Sequence, residues 1–486
     1  MTTDGQQRTI AIRFLAEAVG RGAAFLLFPL LARYLGAEAY GVQMQAAAVA
    51  GVLVPIATLG LGFGVVRTTA GAVDRLQVSA RYTTTLTLIL CTSLALAAGV
   101  ALAAPILNTL FFKTAWATPV IRWTALLVPL GALESVVSDF YRARLRILPQ
   151  SLFQIAQAVL LVASVVLALR LGGELLHVVW ASIAVKGVAV VAMIAWFVGS
   201  GEVTPSRRGL PRAEIAGLVR FGLPIVVMGL STWIMSIGDR LVIGWYLDVR
   251  QVGIYSAAYS IATLIAYVAT PLWTPLYPLM AAAVRENRRE AVTGICRRYM
   301  SLFVIIGVPA VCGLSLLSPG LLRLLGTDEF AIHPLVFALI ALGLLSDQIA
   351  TSAHYLVYLH DDPRFLRNVT MFSGLVNLSL NLVLVPRLQI LGAAIATLLA
   401  YLLLDALLYR RVRRYGYGIG ELYDHGIIAR VLVSAAVMIA VVMVLVPLPT
   451  GIVALGGAAA IGAATYGIVL VALMGWTTLR RLAEGV

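Results

Sequence analysis

Residues 431–479 read VLVSAAVMIAVVMVLVPLPTGIVALGGAAAIGAATYGIVLVALMGWTTL, and this run of 49 residues contains no Asp, Glu, Lys or Arg. A helix needs about 20 consecutive apolar residues to cross the hydrocarbon of a bilayer. The run is therefore long enough for two membrane-spanning helices, which we predict over 428–447 and 452–475.

The rest of the chain has the same character. The intervals from Arg81 to Lys113 and from Arg250 to Arg285 also lack charged residues. Only 12% of the 486 residues are charged and 61% are hydrophobic, whereas soluble domains contain about 25% charged residues. This composition excludes a soluble globular protein and leaves no room for a folded extramembrane domain.

We predict an all-α polytopic membrane protein with about fourteen transmembrane helices, over 11–32, 42–66, 83–105, 119–139, 150–169, 176–198, 217–246, 253–280, 299–322, 332–359, 366–385, 390–409, 428–447 and 452–475.

The basic residues predict the orientation of these helices. If the N-terminus is cytoplasmic, 26 of the 36 Lys and Arg residues fall on the cytoplasmic side, as the positive-inside rule requires. A miscounted helix would invert every later loop, yet the alternation continues to the C-terminus. We therefore expect both termini in the cytoplasm, and the net charge of +14 requires no nucleic-acid partner.

The N-terminal segment and the cysteines predict no processing, disulfide or metal site. The segment MTTDGQQRTI lacks the features of a cleaved signal sequence, so we expect a retained first helix. Cys91, Cys296 and Cys312 lie in or beside apolar segments with no paired spacing. We interpret all three as packing residues and expect no metal and no cofactor.

A Pro-, Gly- and Arg-rich linker divides the chain. It predicts an N-lobe over 1–199 with six spans, a cytoplasmic linker over 200–216, a C-lobe over 217–414 with six spans, and two further helices within 415–486. The halves share a short echo, because LGAEAYG at 35–41 precedes an Ala-rich helix as LDVRQVG at 247–253 does, 212 residues later. Repeated helical units with a substrate path between them are common in secondary transporters.

Several segments together resemble one transporter family. The stretch LVRFGLPIVVMGLSTWIMSIGDRLVIGWYLDVRQVGIYSAAYSIA at 218–262 is similar to the seventh and eighth helices of polysaccharide biosynthesis flippases. Further similarity lies in ARYLGAEAYG at 32–41, LGLGFGVVR at 59–67, YRARLR at 141–146 and LGAAIATLLAYLLL at 391–404. The resemblance implies the multidrug, oligosaccharidyl-lipid and polysaccharide exporter superfamily, with two six-helix lobes around a central cavity and two additional C-terminal helices.

The resemblance also implies a function. Similar members move a polyprenyl-diphosphate-linked oligosaccharide from the cytoplasmic to the outer leaflet by alternating access, which makes this chain a transporter and not an enzyme. The implied partners are that lipid-linked glycan, membrane lipids and glycan-assembly proteins, and members of the superfamily usually work as monomers in the cytoplasmic membrane. A lipid II flippase and a cation-coupled multidrug antiporter of the same superfamily remain alternatives. A membrane glycosyltransferase would need acidic catalytic residues and a large outside loop, and neither is present.

A diphosphate requires a hydrated cationic path, so basic residues within the spans are the candidate substrate contacts. Arg13, Glu17 and Arg21 share one face of the first helix. Arg21 is the leading candidate, Arg13 lies near the cytoplasmic mouth, and Glu17 is a gating or coupling candidate; a structural Arg–Glu ladder is the alternative. Lys186 either faces the cavity or pairs with Glu134 or Asp139. The remaining candidate contacts are Arg67 and Arg240, and Arg240 could instead lock the seventh helix to another element of the lobes.

Other polar side chains within the spans suggest sugar contact and ion coupling. Tyr255 and Tyr259 are four residues apart and could present their rings to sugars. Asp239 is a gating or coupling candidate. Asp347 and His354 lie on a polar stripe with Thr351 and Tyr358 and can titrate, although hydrogen bonding between helices explains the stripe equally well.

Overall fold

The computed structural model describes residues 3–69, 74–206, 209–446 and 451–483, and these residues are almost entirely helical. Contacts between backbone positions divide the chain into two compact units. The first unit comprises Met1–Trp233 and Arg240–Gly253, and the second comprises Ile234–Asp239 and Ile254–Val486. The predicted division at the 200–216 linker stays a prediction.

The first unit contains the N-terminal helices and most of one long helix that also enters the second unit. Its helices are α1 (Thr3–Thr58), α2 (Leu61–Thr69), α3 (Arg75–Leu107), α4 (Ala117–Thr124), α5 (Leu127–Ala143), α6 (Ile147–Arg170), α7 (Leu175–Gly199) and the larger part of α8 (Arg212–Tyr246). A π-helical turn, Asn108–Phe112, extends α3.

The second unit contains nearly all the remaining helices. These are α9 (Val249–Ala262), whose first turn belongs to the first unit, α10 (Leu264–Arg285), α11 (Arg289–Leu325), α12 (Pro334–Ile349), α13 (Thr351–Leu359), α14 (Pro363–Arg414), α15 (Ile419–Leu422), α16 (His425–Leu445), α17 (Ile452–Met474) and α18 (Trp476–Ala483). A 3-10 turn, Asp328–Phe330, precedes α12.

Eleven helices among the described residues are long and apolar enough to cross a membrane, and a bent pair, Val249–Tyr267 with Leu272–Arg285, makes up to twelve. Two of the eleven have 48 and 52 residues, about twice the length of a span. Each contains one non-helical residue, Gly36 in α1 and Gln389 in α14. If each is divided there, the crossings follow the order of the predicted spans, and the predicted all-helical polytopic fold is confirmed.

An aromatic cluster forms the core of the first unit. Tyr82 of α3, Phe140 and Tyr141 of α5 and Phe197 of α7 are buried together. The Tyr82 and Phe140 rings lie 4.8 Å apart edge to face, and the Tyr141 and Phe197 rings lie 5.0 Å apart. The Tyr141 hydroxyl donates to the carbonyl of Met193 at 2.8 Å. These contacts fix α3, α5 and α7 relative to one another.

The segment between α7 and α8 is held against the first unit. The backbone N–H of Thr204 donates to the Ser79 hydroxyl at 3.0 Å, and the N–H of Leu210 donates to the Thr84 hydroxyl at 3.1 Å. Val203 is buried in the core. The described part of this linker is therefore ordered by side chains of α3.

Candidate functional site

The three predicted charged residues of α1 lie on one face of the helix. Glu17 pairs with Arg21, with Glu17 Oε1 at 2.9 Å from Arg21 Nε and 2.7 Å from Nη2. Arg13 Nη1 donates to Gln154 Oε1 of α6 at 2.9 Å. The Arg21 and Glu17 side chains remain 30% and 43% exposed. The Arg–Glu pair therefore exists, and both groups retain surface that a ligand could contact.

A second guanidinium group lies within electrostatic range of Arg13. It belongs to Arg142, which also pairs with the buried carboxylate of Asp139. A Cβ built on Gly62 would lie only 1.8 Å from Asp139 Oδ2, so the start of α2 approaches this carboxylate because residue 62 has no side chain. Arg142 therefore has an anionic partner, whereas Arg13 is held by the neutral amide of Gln154.

Lys186 of α7 forms an ion pair. Its Nζ lies 2.8 Å from Glu134 Oε2, and the two side chains are 29% and 22% exposed. Glu134 is thus the partner among the two acids predicted, whereas Asp139 pairs with Arg142. Contact between Lys186 and a diphosphate stays a prediction.

The other two basic candidates have different surroundings. The Arg67 guanidinium lies over the Phe221 ring, 4.8 Å from its centroid, which is cation–π geometry. Arg240 is buried, as is its neighbour Asp239. Contact of Arg67 or Arg240 with a diphosphate stays a prediction.

The tyrosine candidates belong to a buried polar group in the second unit. Tyr255 is completely buried and Tyr259 is 6% exposed, and their rings lie 6.3 Å apart. Tyr255 is in electrostatic contact with Asp239, and its hydroxyl also lies beside the Thr397 side chain. In this conformation neither ring faces open space, so contact with a sugar would require another conformation and stays a prediction.

The predicted stripe on the tenth span crosses a break between α12 and α13 at Ala350. Asp347 accepts a hydrogen bond from Gln348 Nε2 at 3.1 Å, and Gln348 Oε1 accepts one from Trp273 Nε1 at 3.0 Å. His354 is in electrostatic contact with Asp347. Asp347 and His354 thus lie close together, and coupling through them stays a prediction.

Two polar residues of α14 lie next to this stripe, although the sequence analysis did not select them as site residues. Asp405 of α14 accepts a hydrogen bond from Ser346, the neighbour of Asp347. Tyr401, one turn earlier, is in electrostatic contact with Asp347, Asp239 and Tyr259. The sequence could have indicated Asp405, because it is an acidic residue in an apolar span. Its contacts with Ser346 and its closeness to Asp347 are known only from the packing of the helices.

Some buried polar atoms of the second unit have no hydrogen-bond partner within the described part of the chain. They include Asn377 Nδ2, Asn381 Oδ1 and Asp405 Oδ1. Such atoms cost about 1–3 kcal/mol each when unsatisfied. Among the described residues no group of three or more His, Cys, Asp or Glu side chains could hold a metal ion.

The sequence model for polysaccharide biosynthesis proteins matches residues 7–284, more than half of the chain. The chain belongs to this family. The MatE family model also matches, over residues 224–383. The resemblance predicted from the helix motifs is thereby confirmed, and the chain is a multi-pass membrane protein of this transporter superfamily.

Two curated relatives come from the archaeon Haloferax volcanii. One, the probable low-salt glycan biosynthesis flippase Agl15, is 21% identical over 216 residues, which are 44% of each chain. The other, the probable flippase AglR, is 25% identical over 244 residues, which are 48% of this chain and 50% of the relative. The chain thus spans about half the length of the curated relatives it matches.

Solved structures share the fold over most of the chain. The lipid II flippase MurJ in an inward closed conformation superposes with a TM-score of 0.73 at 13% identity, covering 95% of this chain and 98% of that one. An inward-facing MATE family multidrug transporter of the MOP superfamily has a TM-score of 0.66 at 16% identity and covers 81% and 98%. At these identities the similarity establishes the fold alone, and the predicted exporter fold is confirmed.

Proposed function

We propose that this protein is a flippase that moves a polyprenyl-diphosphate-linked oligosaccharide from the cytoplasmic to the outer leaflet by alternating access. The family membership and the printed names of Agl15 and AglR support this proposal. The glycan would be a precursor of O-antigen, capsule, exopolysaccharide or glycoprotein glycan. As with these relatives, the activity is transport and not enzymatic conversion.

The observation that carries the proposal is the cationic face of α1. A diphosphate is poorly soluble in hydrocarbon, and guanidinium groups bind phosphate oxygens through paired hydrogen bonds. Arg21 is partly exposed beside Glu17, and Arg13 lies near the further cation Arg142. Because Glu17 already neutralises part of the charge on Arg21, a diphosphate could replace this partner during transport and leave again. The polyprenyl tail would stay in the lipid.

Coupling to an ion gradient would use the buried polar core of the second unit. Asp239, Asp347 and His354 are our coupling candidates there, and Tyr401 is in electrostatic contact with both acids. Titratable groups inside a membrane domain are costly and usually functional. Glu17 is a gating candidate for the first unit, because its pairing with Arg21 would change when substrate binds.

We propose that the protein resides in the cytoplasmic membrane with both termini in the cytoplasm, and that it acts as a monomer. Its partners are the lipid-linked glycan, membrane lipids and glycan-assembly proteins, with no role for nucleic acid. The basic loops support this orientation.

Two alternative substrates belong to the same superfamily. A lipid II flippase would use the same diphosphate contacts, and a probable lipid II flippase MurJ of Helicobacter pylori is 24% identical over 214 residues. A multidrug antiporter would favour acidic pockets for cationic drugs. The arginines on α1 favour an anionic headgroup over a cationic drug.

Gene deletion followed by mass spectrometry of polyprenyl-linked sugars on each membrane leaflet tests the proposal. We expect the lipid-linked glycan to accumulate on the cytoplasmic leaflet and to return to normal when the intact chain is supplied. Accumulation of lipid II would identify that substrate instead. Unchanged pools together with increased drug sensitivity would favour the antiporter.

A further inference from the structure

The two echoing segments of the sequence meet in the structure. The first, 35–41, contains the bend of α1 at Gly36, where φ is +79°. The second, 247–253, joins α8 to α9. Both lie within the first unit. The proposed function uses neither segment, yet their packing has a specific geometry.

The last residue of each segment is a glycine, and the two glycines contact each other's helices reciprocally. A Cβ built on Gly41 would lie 1.7 Å from the carbonyl oxygen of Val249, and one built on Gly253 would lie 2.2 Å from that of Ala37. Each built Cβ would also lie 3.0 Å from the backbone nitrogen of the other glycine. Ala37 precedes Gly41 by four residues, as Val249 precedes Gly253. The two helices therefore cross backbone to backbone about a local two-fold axis, and we call this contact the Gly41–Gly253 crossing.

A second reciprocal contact joins Gly60, in the turn between α1 and α2, to Gly222 in the first half of α8. A Cβ on Gly60 would lie 2.4 Å from the carbonyl oxygen of Gly222, and a Cβ on Gly222 would lie 2.4 Å from that of Gly60. Nineteen residues separate Gly41 from Gly60, which is about 28 Å along a helix, close to the thickness of the hydrocarbon. The Gly60–Gly222 crossing therefore lies at the opposite membrane face.

Each crossing is braced by one basic residue. Beside the first, Lys113 Nζ donates to the carbonyl oxygens of Trp245 and Leu247, where a cation also complements the C-terminal end of the α8 dipole. Beside the second, Arg67 lies over the ring of Phe221, the neighbour of Gly222. Both braces involve exposed basic side chains, and such contacts are weak enough to break and reform.

A buried amide lies one turn below the Gly41–Gly253 crossing. Gln45 is completely buried, and neither of its amide atoms has a hydrogen-bond partner in the described residues. Its side chain packs on Gly244, whose built Cβ would lie 2.4 Å from Gln45 Nε2. Burying an unsatisfied amide is costly, and opening of the crossing would give it water as a partner.

We propose that the two glycine crossings are paired seals of the transport path, an outer seal at Gly41–Gly253 and an inner seal at Gly60–Gly222, both closed in this structure. Helix backbones in direct contact leave no space for a sugar, so the outer crossing must separate when substrate leaves. Glycine permits the closed contact, and the exposed braces allow it to reopen without unfolding a helix. The identity of the transported substrate rests on the proposed function, whereas the separation of the two crossings does not.

The test uses a cysteine at the buried Gln45 position. The background carries Cys91→Ser, because Cys91 is exposed, and the reporter is Gln45→Cys in proteoliposomes of known orientation. A membrane-impermeant charged thiosulfonate is added to the outer side, and the labelling rate is measured. We expect slow labelling in the parent and at least tenfold faster labelling with Gly41→Ala or Gly253→Ala, because the added methyl group prevents closure of the outer crossing.

Two further alanine substitutions are matched controls. A Cβ on Gly99 meets no atom within 4 Å, so Gly99→Ala should leave the rate unchanged. Gly222→Ala disturbs only the inner crossing and should not accelerate labelling from outside. Lys113→Met removes the brace without a steric clash and should give a smaller increase than Gly41→Ala.

Several outcomes would overturn the proposal. These are unchanged labelling in Gly41→Ala and Gly253→Ala protein that is inserted and monodisperse, equal acceleration by Gly222→Ala, and acceleration only from the cytoplasmic side. If both outer glycine variants fail to insert, an unchanged rate in Lys113→Met would overturn it. The labelling requires no glycan, so it remains informative even if deletion leaves the lipid-linked pools unchanged.

Discussion

Among single side chains, Arg21 offers the sharpest test of the substrate path. We expect Arg21→Ala to lower glycan export at least about tenfold, which corresponds to about 1.4 kcal/mol, because the diphosphate would lose a charge-assisted hydrogen bond. Arg21→Lys keeps the charge but not the paired donors and should retain part of the activity. The measurement is outer-leaflet glycan in a deletion strain supplied with each variant.

The control for Arg21 is an exposed arginine away from α1. Arg323 is half exposed and lies 3.6 Å from Asp328, so Arg323→Ala should leave export unchanged. Undiminished export in Arg21→Ala protein present at the parental level would show that Arg21 is only the structural partner of Glu17.

A second side chain, Glu202, predicts how the linker responds to pH. Burial alone disfavours its charged form, but hydrogen bonds from Arg146 and Arg144 outweigh that effect and lower the pKa of Glu202 below its ordinary value. Such a group stabilises the fold fully above the pKa of the unfolded chain, about 4.3, and this stability is lost as pH falls through the folded-state value. The linker should therefore be protected from protease at pH 7 and become susceptible only in acid.

Glu202→Gln should expose the linker to protease already at neutral pH, because the two arginines lose their ionised partner. Glu286→Gln is a suitable control, since Glu286 is an exposed acid that pairs with its near neighbour Arg288 outside the linker. Limited proteolysis followed by mass spectrometry locates the cuts. Equal protection of the Glu202→Gln linker and the parental linker at pH 7 would contradict the prediction.

At the scale of secondary structure, apolar run length predicted where helices lie but not how they bend. The predicted break between 385 and 390 coincides with Gln389, the non-helical residue of α14. The predicted span 42–66 is instead interrupted at Leu59 and Gly60, both with positive φ. Hydropathy is insensitive to this break, because the residues on both sides are equally apolar. The ion-pair partner of Lys186 could not be predicted for a similar reason. The sequence offers both Glu134 and Asp139, and only the packing of the helices places Glu134 beside Lys186.

The bend of α14 predicts a stabilising substitution. Gln389 has φ of +55° and ψ of −138°, a conformation that costs a non-glycine residue about 1–3 kcal/mol. Gln389→Gly should raise the thermal unfolding temperature of the protein in detergent micelles, because glycine adopts this conformation without strain. Leu388→Gly is the matched control and should lower that temperature, since Leu388 is exposed and helical. A lower unfolding temperature in Gln389→Gly would show that the Gln389 side chain contributes more than the strain costs.

For the whole molecule, the distribution of basic residues predicts how the protein lies in its membrane. Clusters such as 410–414, with four arginines among five residues, and 142–146, with three among five, fall on one side if the described helices cross in alternation. Translocating such clusters is disfavoured, so both termini should face the cytoplasm. A fluorescent protein fused after Val486 should therefore fluoresce, and alkaline phosphatase fused there should be inactive. Alkaline phosphatase fused after Asp248 should be active, because the connection between α8 and α9 faces the other side. The opposite pattern would place the α1 arginines at the outer mouth, where they could not receive a diphosphate from the cytoplasmic leaflet, and would thus contradict both the topology and the proposed direction of transport.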